Sequence, residues 1–126
     1  GARFSGAVAN VAVGSVLRTG KSAATNDKQK LISSKNYAAA VAELMKVAKP
    51  SLAVVDGFYS VVGNKNPETF FCVASGDAVA ADTVAAAAVA KLQNRKITKQ
   101  KYLELCSLAG IGQSSFASIN LVGEKL

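Results

Sequence analysis

The chain contains no histidine, no tryptophan and only two cysteines among its 126 residues. Without histidine, Ser-His-Asp or Cys-His catalysis within this chain is excluded. The cysteines, Cys72 and Cys106, are far apart in sequence and form no CxxC pair. We therefore expect no zinc site and no iron–sulfur cluster from this chain alone. We expect instead two buried, reduced thiols in a cytoplasmic protein.

Long hydrophobic runs are also missing. Half of the residues are hydrophobic and only 6% are aromatic, so the core is expected to consist of Ala, Val and Leu. No apolar run approaches the roughly 20 residues that cross a bilayer, and we expect no membrane partner. The chain begins with Gly1 and not with Met, which we interpret as processing, tagging or excision from something longer. Its length predicts one domain, 1–126, interpreted as a fragment or trimmed version of a larger domain.

The net charge of +7 is unevenly distributed. Residues 1–50 carry eight basic and two acidic side chains, whereas residues 51–126 carry seven and six. The excess is concentrated between Arg18 and Lys35. Such a segment attracts phosphates, nucleic acid or an acidic partner, although a solvated lysine-rich loop has the same composition. No aromatic residue interrupts the segment, so it lacks the stacking platforms of single-strand binders.

Two short apolar runs, 52–55 and 70–74, predict buried strands over 52–56 and 70–74, because the runs are continuous and rich in β-branched or aromatic residues. Each ends in an acidic turn that contains glycine, Asp56-Gly57 in the first case and Ser75-Gly76-Asp77 in the second. In α/β proteins the functional site usually lies at such strand ends.

Three helices are predicted from apolar periodicity and capping residues. They run over 34–49 (capped by Ser33 or Ser34 and ended by Pro50), 78–92 (capped by Asp77) and 98–109 (capped by Thr98 and stopped by Gly110). Residues 5–17 suit either a strand or a helix, 18–33 form a long loop, and 119–122 form a final strand. This order predicts an α/β fold, with a small mixed or mostly parallel sheet flanked by Ala-rich helices.

Two carboxylates lie at the start of the 78–92 helix. Asp77 and Asp82 are five positions apart, which is about 140° beyond a full turn, so they do not share a face and are not expected to form a metal pair. Asp77 is interpreted as an N-cap. Asp82 lies in a helix that should be mostly buried, so it must be paired or hydrogen-bonded. We expect its partner to be a lysine or the backbone amides of the loop 57–64.

The remaining candidates are turn residues. Asp56 either contacts a ligand or binds its own loop amides. Ser75 and Gly76 precede a helix N-terminus, where an anion cradle can form, and Asn64 can donate an amide hydrogen bond to a ligand. The familiar nucleotide-binding loops GxxxxGK[ST] and GxGxxG are missing from the sequence, so they do not support nucleotide binding.

Several motifs together resemble the C-terminal half of the domain-of-unknown-function 362 family, whose uncharacterised members are often described as iron–sulfur-associated. The matching motifs are Asp56-Gly57, Phe58-Tyr59, Gly63-Asn64, Ser75-Gly76-Asp77 with Ala80 and Asp82, Gly110-Ile111-Gly112, and the segment 119–123. The resemblance covers roughly 36–125. The N-terminal segment is similar to the family's Lys-Asn-x-x-Gly segment, but Ala9 replaces the lysine. No ferredoxin-like module with its cysteines is present in this sequence.

The resemblance implies a fold and a site region, with no settled reaction or cofactor. The predicted ligand-binding residues are Asp56, Gly57, Asn64, Ser75, Gly76, Asp77 and Asp82. The first hypothesis is a domain that binds a small-molecule or anionic ligand or a cofactor, by itself or as part of an enzyme. The second is a non-enzymatic basic module that binds nucleic acid or an acidic partner. The third is a structural fragment whose exposed apolar sheet is covered by a second copy or a missing partner half.

Overall fold

The computed structural model describes residues 6–14, 33–59, 68–96 and 99–124. Its elements in chain order are helix α1 (Ala7–Gly14), helix α2 (Tyr37–Ala48), strands β1 (Ala53–Tyr59) and β2 (Glu68–Ser75), helices α3 (Ala78–Leu92) and α4 (Lys101–Leu108), and a 3-10 turn (Phe116–Ser118). The combination of helices with a small sheet confirms an α/β protein in the broad sense. The loop predicted over 18–33 lies almost entirely outside the described residues.

Among the described residues the sheet consists of β1 and β2 paired antiparallel, so the prediction of a mixed or mostly parallel sheet is wrong. Ala53 pairs with Ser75 at one end, and the register continues to Gly57 and Phe71 before an irregularity between Gly57 and Tyr59. The two strands follow each other in sequence with a connection too short to hold a crossover helix, which is the situation that favours a hairpin.

The two faces of the sheet have different environments. Residues alternate along each strand, so every second side chain points to the same face. The inner side chains, among them Val55 and Val73, pack against the core. The outer side chains include Val54, Phe58 and Phe70, and all three are exposed. Cys72 also lies on the outer face and is exposed, so its predicted burial is wrong, whereas the predicted burial of Cys106 is confirmed.

Helix α3 lies at the centre of the fold and has the predicted bounds. It contacts β1, β2, α1 and α4. Ten of its 15 residues are buried, on all sides of the helix, as expected for an element that is covered by neighbours all round. Its many alanines keep the helix surface close to its axis, which lets four elements approach it.

Helices α1 and α2 pack on each other and cover the rest of the core. The ambiguous segment 5–17 contains a helix, α1. The helix predicted over 34–49 is observed as α2, and Val41 and Met45 on it are fully buried. The predicted serine cap is wrong, because Asn36 is the N-cap and has no side-chain capping bond. The Ser34 hydroxyl instead accepts a hydrogen bond from the Asn36 amide (3.1 Å).

Helix α4 begins after Gln100 and ends as predicted, before Gly110. Gly110 has φ of +72°. The amides of Gly110 and Ile111 donate to the carbonyls of Ser107 and Cys106, both at 3.0 Å, which is the hydrogen-bond pattern of a Schellman motif. The strand predicted over 119–122 is wrong, because these residues have no regular secondary structure.

The left-handed conformation of Gly110 gives a direct test of this helix end. The substitution Gly110→Ala should lower the free energy of unfolding by about 1 kcal/mol, because a Cβ disfavours positive φ. No atom lies within 4 Å of the added Cβ, so the loss reports on the backbone alone. Urea denaturation would measure it, with Gly76→Ala as the control, since a Cβ there meets only an ordinary contact at 3.8 Å. Equal stability losses for the two variants would contradict the assignment.

Candidate functional site

The turn Ser75–Gly76–Asp77 connects β2 to α3. The Ser75 hydroxyl oxygen accepts a hydrogen bond from the Asp77 amide (3.0 Å). Asp77 Oδ1 accepts from the amides of Val79 (2.9 Å) and Ala80 (3.0 Å). Asp77 is therefore the N-cap of α3, as predicted, and its charge lies at the positive end of the helix dipole.

Asp77 also fixes a distant segment. Its second oxygen, Oδ2, accepts a hydrogen bond from the amide of Gln113 (2.8 Å). Gln113 follows the Schellman motif at the end of α4, so one carboxylate joins the start of α3 to the exit of α4. Both oxygens of Asp77 are used in these contacts.

A cavity of about 450 Å³ opens beside this turn. Its lining comes from the end of α2, the start of α3 and the segment after α4. The charged lining residues are Lys46, Lys49 and Asp77. The strand pairing explains the location: because Ala53 pairs with Ser75, the end of α2 lies next to the exit of β2.

Sequence analysis assigned no functional role to the two lysines of this cavity. Lys46 lies in the last turn of α2, and Lys49 follows the helix directly before Pro50. Lys46 Nζ also pairs with Glu43 Oε1 at 2.6 Å on the exposed surface. The antiparallel pairing of the two strands brings these lysines to the predicted turn. A correct prediction of strand orientation would therefore have identified them.

Asp82 is fully buried on α3. Its Oδ1 accepts a hydrogen bond from the amide of Ala7 (2.6 Å) and its Oδ2 from the amide of Val8 (2.9 Å). These are the first amides of α1, which have no acceptor within their own helix. The predicted burial is confirmed, but the expected partner, the loop 57–64 or a lysine, is wrong.

The surroundings of Asp82 change the proton affinity of the groups near it. Burial raises the pKa of Asp82 to about 6, although the two amide hydrogen bonds act in the opposite direction. Burial and then the charge of Asp82 raise the pKa of Cys106 to about 11. The same two causes raise the pKa of Tyr102 far above its ordinary value. The tyrosine and the thiol are therefore neutral at physiological pH.

Asp56 and Gly57 lie within β1, which continues to Tyr59, so they do not end the strand as predicted. Asp56 is exposed, and its Oδ1 accepts a hydrogen bond from the Phe58 amide (3.0 Å). This is the local backbone contact that we considered as the alternative to ligand binding. Gly57 is buried, and its carbonyl accepts a hydrogen bond from the Thr69 hydroxyl.

The predicted site residues do not meet in one cleft. Gly76 and Asp77 line the 450 Å³ cavity. Ser75 lines a different cavity, of about 550 Å³, between β2, α3 and the segment 119–124. Asp82 is in the core, and Asn64 lies outside the described residues. Ligand binding by the full set therefore stays a prediction, and its centre moves to the cavity beside Asp77.

Within residues 6–14, 33–59, 68–96 and 99–124, no three side chains from His, Cys, Asp and Glu come together in a way that would hold a metal ion. No helix in this part of the chain is long and apolar enough to cross a membrane.

The model of one protein family, described as Domain of unknown function (DUF362), matches residues 1–87. The match includes α1, α2, both strands and α3 as far as Ala87. It therefore covers the N-terminal part of the chain, whereas the motif resemblance ran over 36–125. No curated protein and no solved structure matches the chain.

The double role of Asp77 predicts a stability loss with a long-range signature. Asp77→Ala should lower the free energy of unfolding by about 1–2 kcal/mol, because the cap of α3 is lost. It should also increase hydrogen exchange at the amide of Gln113. Chemical denaturation and NMR-detected exchange would measure the two effects, with Asp56→Ala as the control on the exposed face. Unchanged exchange at Gln113 would contradict the contact between the two segments.

Proposed function

The chain belongs to the family described as Domain of unknown function (DUF362), and we propose that it binds a small anionic ligand in the cavity beside Asp77, by itself or as part of an enzyme. One observation carries this proposal. The turn that the sequence singled out opens on a cavity of about 450 Å³ that also contains Lys46 and Lys49. This volume is in the range of small-molecule sites.

The charges around the cavity favour an anion over a cation. Two lysines and one aspartate line the cavity, and Lys46 also pairs with Glu43 on the exposed surface. Asp77 is already satisfied by three backbone amides. A ligand would therefore be held by the lysine ammonium groups, since the Val79 and Ala80 amides at the start of α3 are occupied by Asp77. Lysine binds phosphate or carboxylate as a point charge. The apolar part of the lining, including Ala78 and Ile111, would contact the body of the ligand.

A charge-matched pair of variants tests this proposal. Inorganic phosphate added to the protein should shift the NMR amide signals of Gly76, Ala78 and Gly110 in a saturable way. The double substitution of Lys46 and Lys49 to Ala should weaken this binding by roughly tenfold or more, at about 1.4 kcal/mol per tenfold change. The control is the double substitution of Lys91 and Lys101 to Ala, which removes the same charge elsewhere. Equal weakening in both variants would show non-specific attraction and contradict the proposal.

The outer face of the sheet favours a second function, assembly with another copy of the chain. Phe58 and Phe70 are 49% and 62% exposed, with ring centroids 5.9 Å apart at an interplanar angle of 83°. Val54 on the same face is 56% exposed, and the exposed Asp56 lies between it and Phe58 along β1. A two-stranded sheet is marginal alone, and an exposed apolar patch usually marks a contact surface. In a two-fold dimer each copy of this patch would cover the other.

Analytical ultracentrifugation over a concentration series tests this assembly. We expect a monomer–dimer equilibrium that Phe70→Lys shifts to the monomer, because a charge would be buried in the contact. Leu92→Lys introduces the same charge at another exposed apolar position, 51% exposed at the end of α3, and should leave the equilibrium unchanged. A monomer at all concentrations would contradict the proposal.

The remaining hypothesis, a basic module for nucleic acid or an acidic partner, stays a prediction. The segment Arg18–Lys35 that motivated it lies almost entirely outside the described residues, and no observation in the described part of the chain adds to it.

A further inference from the structure

A third cavity lies between α3, α4 and the 3-10 turn. It has a volume of about 340 Å³, which is at the lower end of the range of small-molecule sites. Its lining comes from the middle of α3, the start of α4 and the segment 114–116. None of its lining residues belongs to the cavity beside Asp77, so the two cavities are separate.

The segment that forms one wall of this cavity is held in place by hydrogen bonds. At its start, the Gln113 amide donates to Asp77 Oδ2 (2.8 Å). Gln113 Oε1 then accepts from the Ser115 amide (2.8 Å), and the Ser118 amide donates to the Ser115 carbonyl (3.0 Å). This last bond closes the 3-10 turn on which Phe116 lies. The fold therefore places Phe116 at the cavity without the help of a ligand.

The charges around this cavity favour an anion. Lys99 lines the cavity, is exposed and forms no ion pair with any residue that the structure describes. Glu104 also lines the cavity, but its carboxylate is paired with Lys101 Nζ at 3.7 Å. The stretch 91–101 contains five basic and no acidic residues, and all five basic residues are exposed. Such a local excess of positive charge raises the concentration of anions near the cavity.

The other side chains of the lining suit a flat ring with polar edges. Phe116 is 41% exposed, and nucleic-acid bases stack on aromatic side chains because every base has a π face. The Thr83 hydroxyl donates to the Val79 carbonyl (2.8 Å), so its oxygen is left to accept a hydrogen bond from a ligand. The Ser115 hydroxyl oxygen accepts from the Ser118 hydroxyl (3.3 Å), so its own proton is left to donate.

We propose that this cavity is a second binding site, which takes a small anion joined to a flat polar ring, the chemistry of a nucleoside monophosphate. The ring stacks on Phe116, the anionic group pairs with Lys99, and the polar edges bind the hydroxyls of Thr83 and Ser115. Such a site needs no glycine-rich phosphate loop, because a lysine binds the anion as a point charge. It also does not depend on binding in the cavity beside Asp77.

Adenosine monophosphate is the probe that tests the site, and NMR amide signals report where it binds. We expect saturable shifts at Thr83, Ser115 and Phe116. Ribose phosphate carries the anionic group without the ring, so it should bind roughly tenfold or more weakly, which is the contribution expected from stacking one base.

Two matched pairs of variants separate the ring contact from the charge contact. Phe116→Ala should weaken adenosine monophosphate binding by roughly tenfold and leave ribose phosphate binding unchanged. Leu108→Ala, at an apolar position that is 83% exposed outside the cavity, should change neither. Lys99→Ala should weaken the binding of both probes. Lys91→Ala removes the same charge from the same basic stretch but outside the cavity, and its effect should be much smaller.

Three outcomes would overturn the proposal. The first is equal affinity for the two probes, which means that the ring is not recognised. The second is equal weakening by Lys99→Ala and Lys91→Ala, which means that the anion is attracted without a defined site. The third is a set of shifts confined to Gly76, Ala78 and Gly110, which would place the ligand in the cavity beside Asp77.

Discussion

A negative charge without a cationic partner among the described residues holds the first helix of this protein in place. Helix α1 has eight residues and no acidic residue in its first turn, and a helix of this length is marginal alone. Its first amides are satisfied by Asp82, a residue of a different helix. This contact fixes where α1 lies on α3, and α2 and α4 then pack around that pair.

The two acidic residues of α3 have related roles on different neighbours. Asp77 caps its own helix and binds the segment after α4, whereas Asp82 caps α1. The two residues lie about 140° apart around the helix axis, which explains why they contact different elements. Each carboxylate accepts hydrogen bonds from a different element. The two residues therefore stabilise separate contacts between elements and do not form a pair that could bind a metal ion. The alanines between them let the neighbouring elements come close enough to form these hydrogen bonds.

Local features of this chain were readable from the sequence, but the contacts between elements were not. The bounds of α3, its Asp77 cap and the glycine stop at Gly110 depend on neighbours in sequence, and all three are confirmed. The burial of Asp82 followed from the alanines around it, but its partner came from a segment 75 positions away. The strands were interpreted as buried on both faces because both faces are apolar. The sequence therefore lacked the alternation of polar and apolar residues that marks a half-exposed antiparallel strand. For this reason neither the exposure of Cys72 nor the position of Lys46 and Lys49 beside the turn could be predicted.

The family match ends at Ala87, inside α3 and one turn and a half beyond Asp82. Tyr102 and Cys106, whose pKa values are raised in part by the charge of Asp82, belong to α4 and lie outside that match. In this chain the environment of Asp82 therefore depends on residues from outside the matched region as well as on the helix that carries it.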